Sequence, residues 1–421
     1  MKTRLHSLTR RDFMKTAGAG ALGATLAPAL VASQAPAVSR GNSYDVAVVG
    51  AGVFGAWIAY SLRQAGRRVV LLDAYGPGNA RSSSGGQSRV IRMGYGDQEI
   101  YTRWSMRSLD LWKSAFGKAG RAYFQPVGVL WMARHEDPLT IKSVATLQRL
   151  GVRHERLGRA ELQRRWPQID FGENTWAVYE PQSGFLMAFH SVQAVVGLAM
   201  GMGVDYLQEQ VVPPGGTGPL GSIATRSGKT VRAGTFVFAC GPWLPKVFPD
   251  LLGERIFPTR QEVFYFGPPP GDERFRSPAM PVWADFAEEM YGLPDFKGRG
   301  FKVALDRHGP EFDPDTGARV VTPETLAIVR EFVARRFPGL KDAPLVASEV
   351  CQYENTSNGD FLIDRHPERE NVWLVGGGSG HGFKHGPAIG EYVAARIAKG
   401  GAVEARFSLA TKERVQKRAV Y

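Results

Sequence analysis

At 421 residues the chain is long for a single compact core, so two lobes are expected. Its content of 43% apolar and 22% charged residues is that of an ordinary globular protein and excludes extended disorder. The net charge of +12 is partly local: Lys2, Arg4, Arg10, Arg11 and Lys15 against Asp12 put +4 into the first 35 residues, leaving +8 for the rest. That remainder has no basic run interleaved with aromatics, which argues against nucleic-acid binding and for attraction of small anions.

The N-terminus reads as an address. "TRRDFMK" (9–15) pairs Arg10 and Arg11 with Phe13, and the run "TAGAGALGATLAPALVA" follows, broken by Pro28. A run of this length and glycine content is poor for spanning a membrane. The pattern predicts a twin-arginine signal over 1–37 and passage through the twin-arginine translocase. A periplasmic or secreted destination is then expected, with no stable membrane insertion. That route carries folded proteins, often with a cofactor already inserted.

The next segment, "YDVAVVGAGVFGAWIAYSLRQAGRRVVLLDA" (44–74), predicts a buried strand, a glycine turn, a helix ending near Gly66 and a second strand closing on Asp73. Gly50 suits the tight turn, Gly52 lets backbone N–H groups approach a pyrophosphate, and Gly55 lets helix and strand pack closely. The helix start, with Val53 and Phe54, offers free N–H groups to phosphate. Asp73, followed by Ala74, is placed to accept ribose hydroxyls. Two later units repeat the strand-plus-glycine theme, "TVRAGTFVFACGPW" (230–243) and "NVWLVGGGSGHGFKHGPAIGEYVAARIAKG" (371–400). Three such units in separated stretches suit one long cofactor, which favours FAD over NAD. The Pro/Gly clusters at 211–221 and 267–278 read as surface turns.

There are only two cysteines, Cys240 and Cys351. Packing, a mutual disulfide and chemistry are all open for them on the residues alone. His381 and His385 stand four apart, but the glycines around them spoil a helical metal face, so no metal is expected.

From about residue 44 to 400 the chain resembles the amine-oxidising flavoproteins of the monomeric sarcosine oxidase and N-methyltryptophan oxidase family. The resemblance rests on "SSSGGQSRVIRMGYG" (82–96), "MYGLPDFKGRGFKV" (290–303), "CQYENTSNGDFLID" (351–364) and "GSGHGFK" (378–384). It implies an α/β fold: a Rossmann-like FAD-binding domain (44–120, 189–250, 350–405) and a discontinuous α+β substrate domain (121–188, 251–349) on a large mixed sheet. It also implies a monomer.

Several site residues follow from the same resemblance. Cys351 matches the cysteine that tethers the flavin covalently, which leaves Cys240 a core residue. Ser83, Ser84, Gly241, Gly378, Gly380, His381, Gly382 and Lys384 fall in the matching cofactor-binding stretches. Arg92 and Lys384 match the pair that holds the substrate carboxylate, a fork and a point charge. Lys302 matches the lysine that promotes reaction with oxygen, and Arg89 an arginine that favours the reduced, negatively charged ring. Tyr291 and Tyr353 match aromatic residues of the substrate cavity.

Two positions depart from the pattern. Gly85 and Asp306 stand where sarcosine oxidases carry histidine, which predicts a roomier cavity, an added acid and a substrate other than sarcosine. The reaction expected is oxidation of secondary, N-alkyl or cyclic amino acids to an imine, with hydride passing to the flavin and oxygen to hydrogen peroxide. A dehydrogenase with another acceptor is the alternative reading, and a non-catalytic flavoprotein module the reading from another class.

Overall fold

The computed structural model describes residues 43–417. The predicted signal over 1–37, with Arg10 and Arg11, lies outside them. Strand Tyr44–Val49 lies in the middle of a seven-stranded sheet, parallel to Val69–Asp73 on one side and to Thr230–Phe238 on the other. Asp205–Gln208 extends the sheet beyond Val69–Asp73, and Arg369–Gly376 with Leu362–His366 extends it beyond Thr230–Phe238. Both faces of the parallel strands are covered, which is why they read as unbroken apolar runs and not as alternating ones.

Helix Val53–Gln64 is buried from Val53 to Leu62 and packs against helix Gly386–Lys399. Two glycines one turn apart set how near they come. A Cβ on Gly390 would lie 2.5 Å from the Trp57 carbonyl oxygen, and one on Gly386 would lie 2.6 Å from Val53 Cγ2. Pro387 sits in the first turn of its helix, where its missing N–H costs nothing.

The second sheet has eight strands in the order Leu345–Thr356, Ile256–Phe266, Phe301–Leu305, Met290–Leu293, Val282–Asp285, Val129–Ala133, Trp176–Glu180 and Glu155–Gly158. All neighbours are antiparallel except Val282–Asp285 with Val129–Ala133, so the sheet is mixed. Helix Pro323–Arg336 packs on this sheet, where Trp283 stacks on Phe332 at 5.7 Å and meets Phe337 at 4.8 Å. The fold is α/β with the chain alternating between two sheets. The domain boundary expected at residue 350 falls inside Leu345–Thr356, a strand that pairs along its length with Ile256–Phe266. Among the described residues no helix is long and apolar enough to cross a membrane.

Candidate active site

The turn after the first strand is shaped by close backbone approach. Gly50 has φ +104°, and a Cβ there would lie 2.3 Å from the Ala239 carbonyl oxygen; a Cβ on Gly55 would lie 1.8 Å from that of Gly50. Strand end, helix start and the end of Thr230–Phe238 are thereby pressed together, as only glycine permits. The Val53 N–H donates to Ser84 Oγ at 2.9 Å, so the 82–84 loop is docked on the helix start. The next N–H groups, those of Phe54 and Gly55, lie in the first turn, where a helix supplies no internal acceptor. Asp73 accepts from Ala51 N–H through Oδ2 at 2.7 Å, and from Tyr75 and Gly76 N–H through Oδ1 at 2.8 and 2.9 Å. It therefore splices two loops, with one lone pair of Oδ2 left for a ligand.

From here a cleft enclosing about 1290 Å³ of atom-free space, its open mouth included, runs past Ala74, Ser83 and Gly241 to Cys351, Glu354 and Gly378. Three buried polar atoms of its lining residues, Ser83 Oγ, Gln352 Oε1 and Glu354 Oε2, have no hydrogen-bond partner among the described residues. Buried polar groups are rarely left so, and an elongated ligand rich in donors and acceptors would satisfy them. Glycine backbone forms the wall opposite: a Cβ on Gly378 would lie 3.3 Å from Glu354 Oε1, and one on Gly380 2.8 Å from the Tyr353 ring. The residues present fit a dinucleotide such as FAD. Burial pushes the Glu354 carboxyl up to about 7, although the Gly377 and Gly378 N–H groups pull the other way.

Cys351 and Cys240 are both free thiols, so the disulfide left open by the sequence is not formed. Arg89 Nη2 lies 3.2 Å from Cys351 Sγ and also donates to the Ser83 carbonyl at 2.9 Å. Cys240 lies near the Val49 carbonyl at 3.5 Å, and burial, with Asp73 and Glu354 nearby, pushes its thiol well up.

A second cavity adjoins the first, sharing Arg89, Tyr353 and Gly380 with it. Arg92, Tyr291, Lys302, Asp306, His381 and Lys384 also line it. Lys302, on strand Phe301–Leu305, is only 2% exposed and donates to the Ser88 carbonyl at 3.0 Å. Burial and then Arg89 lower its ammonium to about 7, against the opposing pull of Glu349 and Cys351. Lys384 is also buried, and burial, with Arg92 beside it, holds its ammonium well below the usual lysine range. Neither Arg92 nor Lys384 forms an ion pair with a carboxylate of the described residues. The Tyr353 hydroxyl donates to Asp306 Oδ1 at 2.9 Å. Burial, then Asp306, raises the phenols of both Tyr291 and Tyr353. Arg307, next to Asp306 in the chain, pairs with Glu289.

The structure thus gathers the predicted residues into two adjoining spaces, with differences. Lys384 and His381 line the second cavity and not the dinucleotide cleft, and Gly55 lines neither. The expectation that Gly85 widens the cavity is corrected. A Cβ at Gly85 would lie 2.5 Å from the Asn79 carbonyl oxygen, and the residue lines neither space, because loop 79–80 packs directly upon it. Among residues not singled out from the sequence, Glu354 is the clearest; its strand, LVASEVCQYENT, holds other polar residues and a second acid, Glu349, so nothing local marked it. Glu180 is another. It is buried, and accepts from the Met93 and Gly94 N–H groups at 2.7 and 2.9 Å and from Trp131 Nε1 at 2.8 Å.

Comparison with known proteins agrees with this geometry. The profile of a family described as FAD dependent oxidoreductase matches residues 45–396. The monomeric sarcosine oxidase of Bacillus sp. (strain B-0618) is 31% identical over 392 residues, covering 90% of this chain and 99% of that protein. The N-methyl-L-tryptophan oxidase of Yersinia pestis (strain Pestoides F) is 28% identical, covering 83% and 94%. Among solved structures, L-proline dehydrogenase from P. horikoshii aligns with a TM-score of 0.74 at 22% identity, over 87% of this chain and 97% of that one. At that identity the likeness speaks for the fold.

Proposed function

The chain belongs to the FAD-dependent oxidoreductase family, and from that premise we propose that it oxidises secondary, N-alkyl or cyclic amino acids, yielding an imine and hydrogen peroxide. The observation that carries this reading is the pair of buried basic side chains, Arg92 and Lys384, lining one cavity without a direct ion pair to a carboxylate among the described residues. Buried charge without a partner is costly, and a substrate carboxylate would supply the partner. Oxidation next to nitrogen requires a neutral amine, so the chain must hold its substrate by another group. The sarcosine and N-methyltryptophan oxidases, as named, act on N-methyl amino acids, which supports the same class here.

Bound in the cleft, FAD supplies a two-electron acceptor for the hydride. The Phe54 N–H group, Asp73, Ser83 and Glu354 would hold it. Cys351, whose Sγ lies at the edge of the cleft, would tether it through its sulfur. Arg89 beside Sγ supports this role. Arg92 and Lys384 clamp the carboxylate, Tyr291 and Tyr353 wall the cavity, and Asp306 reaches a second polar group of the substrate. Lys302 places one positive charge where oxygen gains electrons, with little reorganisation. The protein would act as a monomer, as its named relatives suggest, after twin-arginine export.

The test is oxygen consumption by the flavin-loaded protein with a panel of N-methyl and cyclic amino acids. Equimolar peroxide is expected. Anaerobic bleaching of the flavin without reoxidation by air would instead establish a dehydrogenase.

A further inference from the structure

Arg92 and Lys384 come from segments far apart in the chain, yet a clamp for a carboxylate works only if its two cations keep a fixed separation. We propose that Tyr95 is the positioning residue that sets this separation, its ring seating Arg92 and its hydroxyl fixing Lys384. This rests on the reading of those two residues as a carboxylate site.

The geometry is specific. The guanidinium carbon of Arg92 lies 4.0 Å from the centroid of the Tyr95 ring and 4.7 Å from that of Trp131, between the two aromatic rings. Arg92 Nη1 donates to the Gly94 carbonyl. Lys384 Nζ donates to the Tyr95 hydroxyl at 2.7 Å and to the His381 carbonyl at 2.9 Å. One side chain, 1% exposed, thus touches both cations. A ring face attracts a guanidinium without neutralising it, and a hydroxyl accepts from an ammonium without pairing its charge. Both contacts orient the cations while leaving their charge for a ligand, which a carboxylate in the same place would not do.

Tyr95 is itself held from several sides. Its hydroxyl, which accepts from Lys384, also lies 2.9 Å from His385 Nε2 and 3.4 Å from His381 Nδ1, so a ring nitrogen stands ready for its proton. Burial, with Lys384 and Arg92 nearby, holds the His385 ring neutral and so able to accept. The loop carrying Tyr95 is tied down at Met93 and Gly94 by Glu180, at Gly96 by Ser143 Oγ at 2.7 Å, and at Met93 by Thr102 Oγ1 at 2.9 Å. Glu180 also fixes Trp131, the other wall of the Arg92 seat.

Acetate, a carboxylate with no amine, is the probe, added to flavin-loaded protein and followed by flavin absorbance and calorimetry. Tyr95→Phe keeps the seat for Arg92 and releases Lys384, so acetate affinity should fall about tenfold, the size of one hydrogen bond to a charged group. Tyr95→Leu loses the seat as well and should fall about a hundredfold. With an N-methyl amino acid, KM should rise in the same order while kcat moves less than about threefold. A role in folding alone would lower flavin content or thermal midpoint and leave the acetate affinity of the folded fraction unchanged, and that result would overturn the proposal. Should Tyr95→Leu not fold, Tyr95→Phe decides alone. If Arg92→Met and Lys384→Met also leave acetate affinity untouched, the carboxylate reading itself falls. If those two weaken it and Tyr95→Phe does not, only the role of Tyr95 falls.

Discussion

Replacing Lys302 by methionine removes a charge from a site that is expensive to charge. The ammonium drops from an ordinary value of 10.5 to about 7 on folding, chiefly through burial. At ~1.4 kcal/mol per unit, that difference corresponds to a penalty of about 5 kcal/mol for keeping Lys302 protonated in the folded protein. The sign follows from proton binding. Below pH 7 both folded and unfolded chains hold the proton and the penalty is fully present. Between 7 and 10.5 the unfolded chain holds more protons, so stability rises with pH until the penalty is gone. Methionine has no such term. The Ser88 carbonyl is not orphaned by the change, because Arg89 Nη1 also donates to it at 2.8 Å. Lys302→Met should therefore be more stable than wild type at pH 6 by several kcal/mol, a gap that closes toward pH 10. It should also be slower to react with oxygen by about 10²-fold, the effect of losing one preorganised charge. Urea unfolding of the flavin-loaded proteins at pH 6, 8 and 10 reads the first effect, and stopped-flow reoxidation the second. A stability gap independent of pH would refute the argument from desolvation. Unchanged reoxidation would separate Lys302 from the oxygen step.

Acid-precipitated wild-type protein should stay yellow and its intact mass should exceed that of the polypeptide by one FAD, whereas Cys351→Ala should release the colour; a wild-type mass equal to polypeptide alone would remove the tether. Asp306→Asn should raise KM for the preferred substrate severalfold with little change in reoxidation, and Asp306→His should shift preference toward small N-methyl amino acids. An unaltered ranking of substrates in both would leave Asp306 a structural partner of Tyr353. Arg10→Lys with Arg11→Lys should leave folded, yellow protein in the cytoplasm, and undiminished periplasmic activity in that variant would disprove twin-arginine export.

Local rules carried the dinucleotide half of the molecule. "GAGVFG" between two apolar runs determines a strand, a turn and a helix, because the demands on Gly50 and Gly55 are set by backbone within a few residues of each other and by the strand alongside. The position of Asp73 at the end of its strand was legible for the same reason, although its ties to Ala51, Tyr75 and Gly76 were not. Tertiary structure alone decided the rest. Lys384 meets Tyr95 across 289 residues of chain, and Tyr353 meets Asp306 across 47, contacts that no period or spacing encodes. The space expected at Gly85 vanished because a neighbouring loop occupies it. The shifted proton affinities of Lys302 and Glu354 arise from desolvation, which depends on every segment packed around a group and not on the residues beside it in the chain.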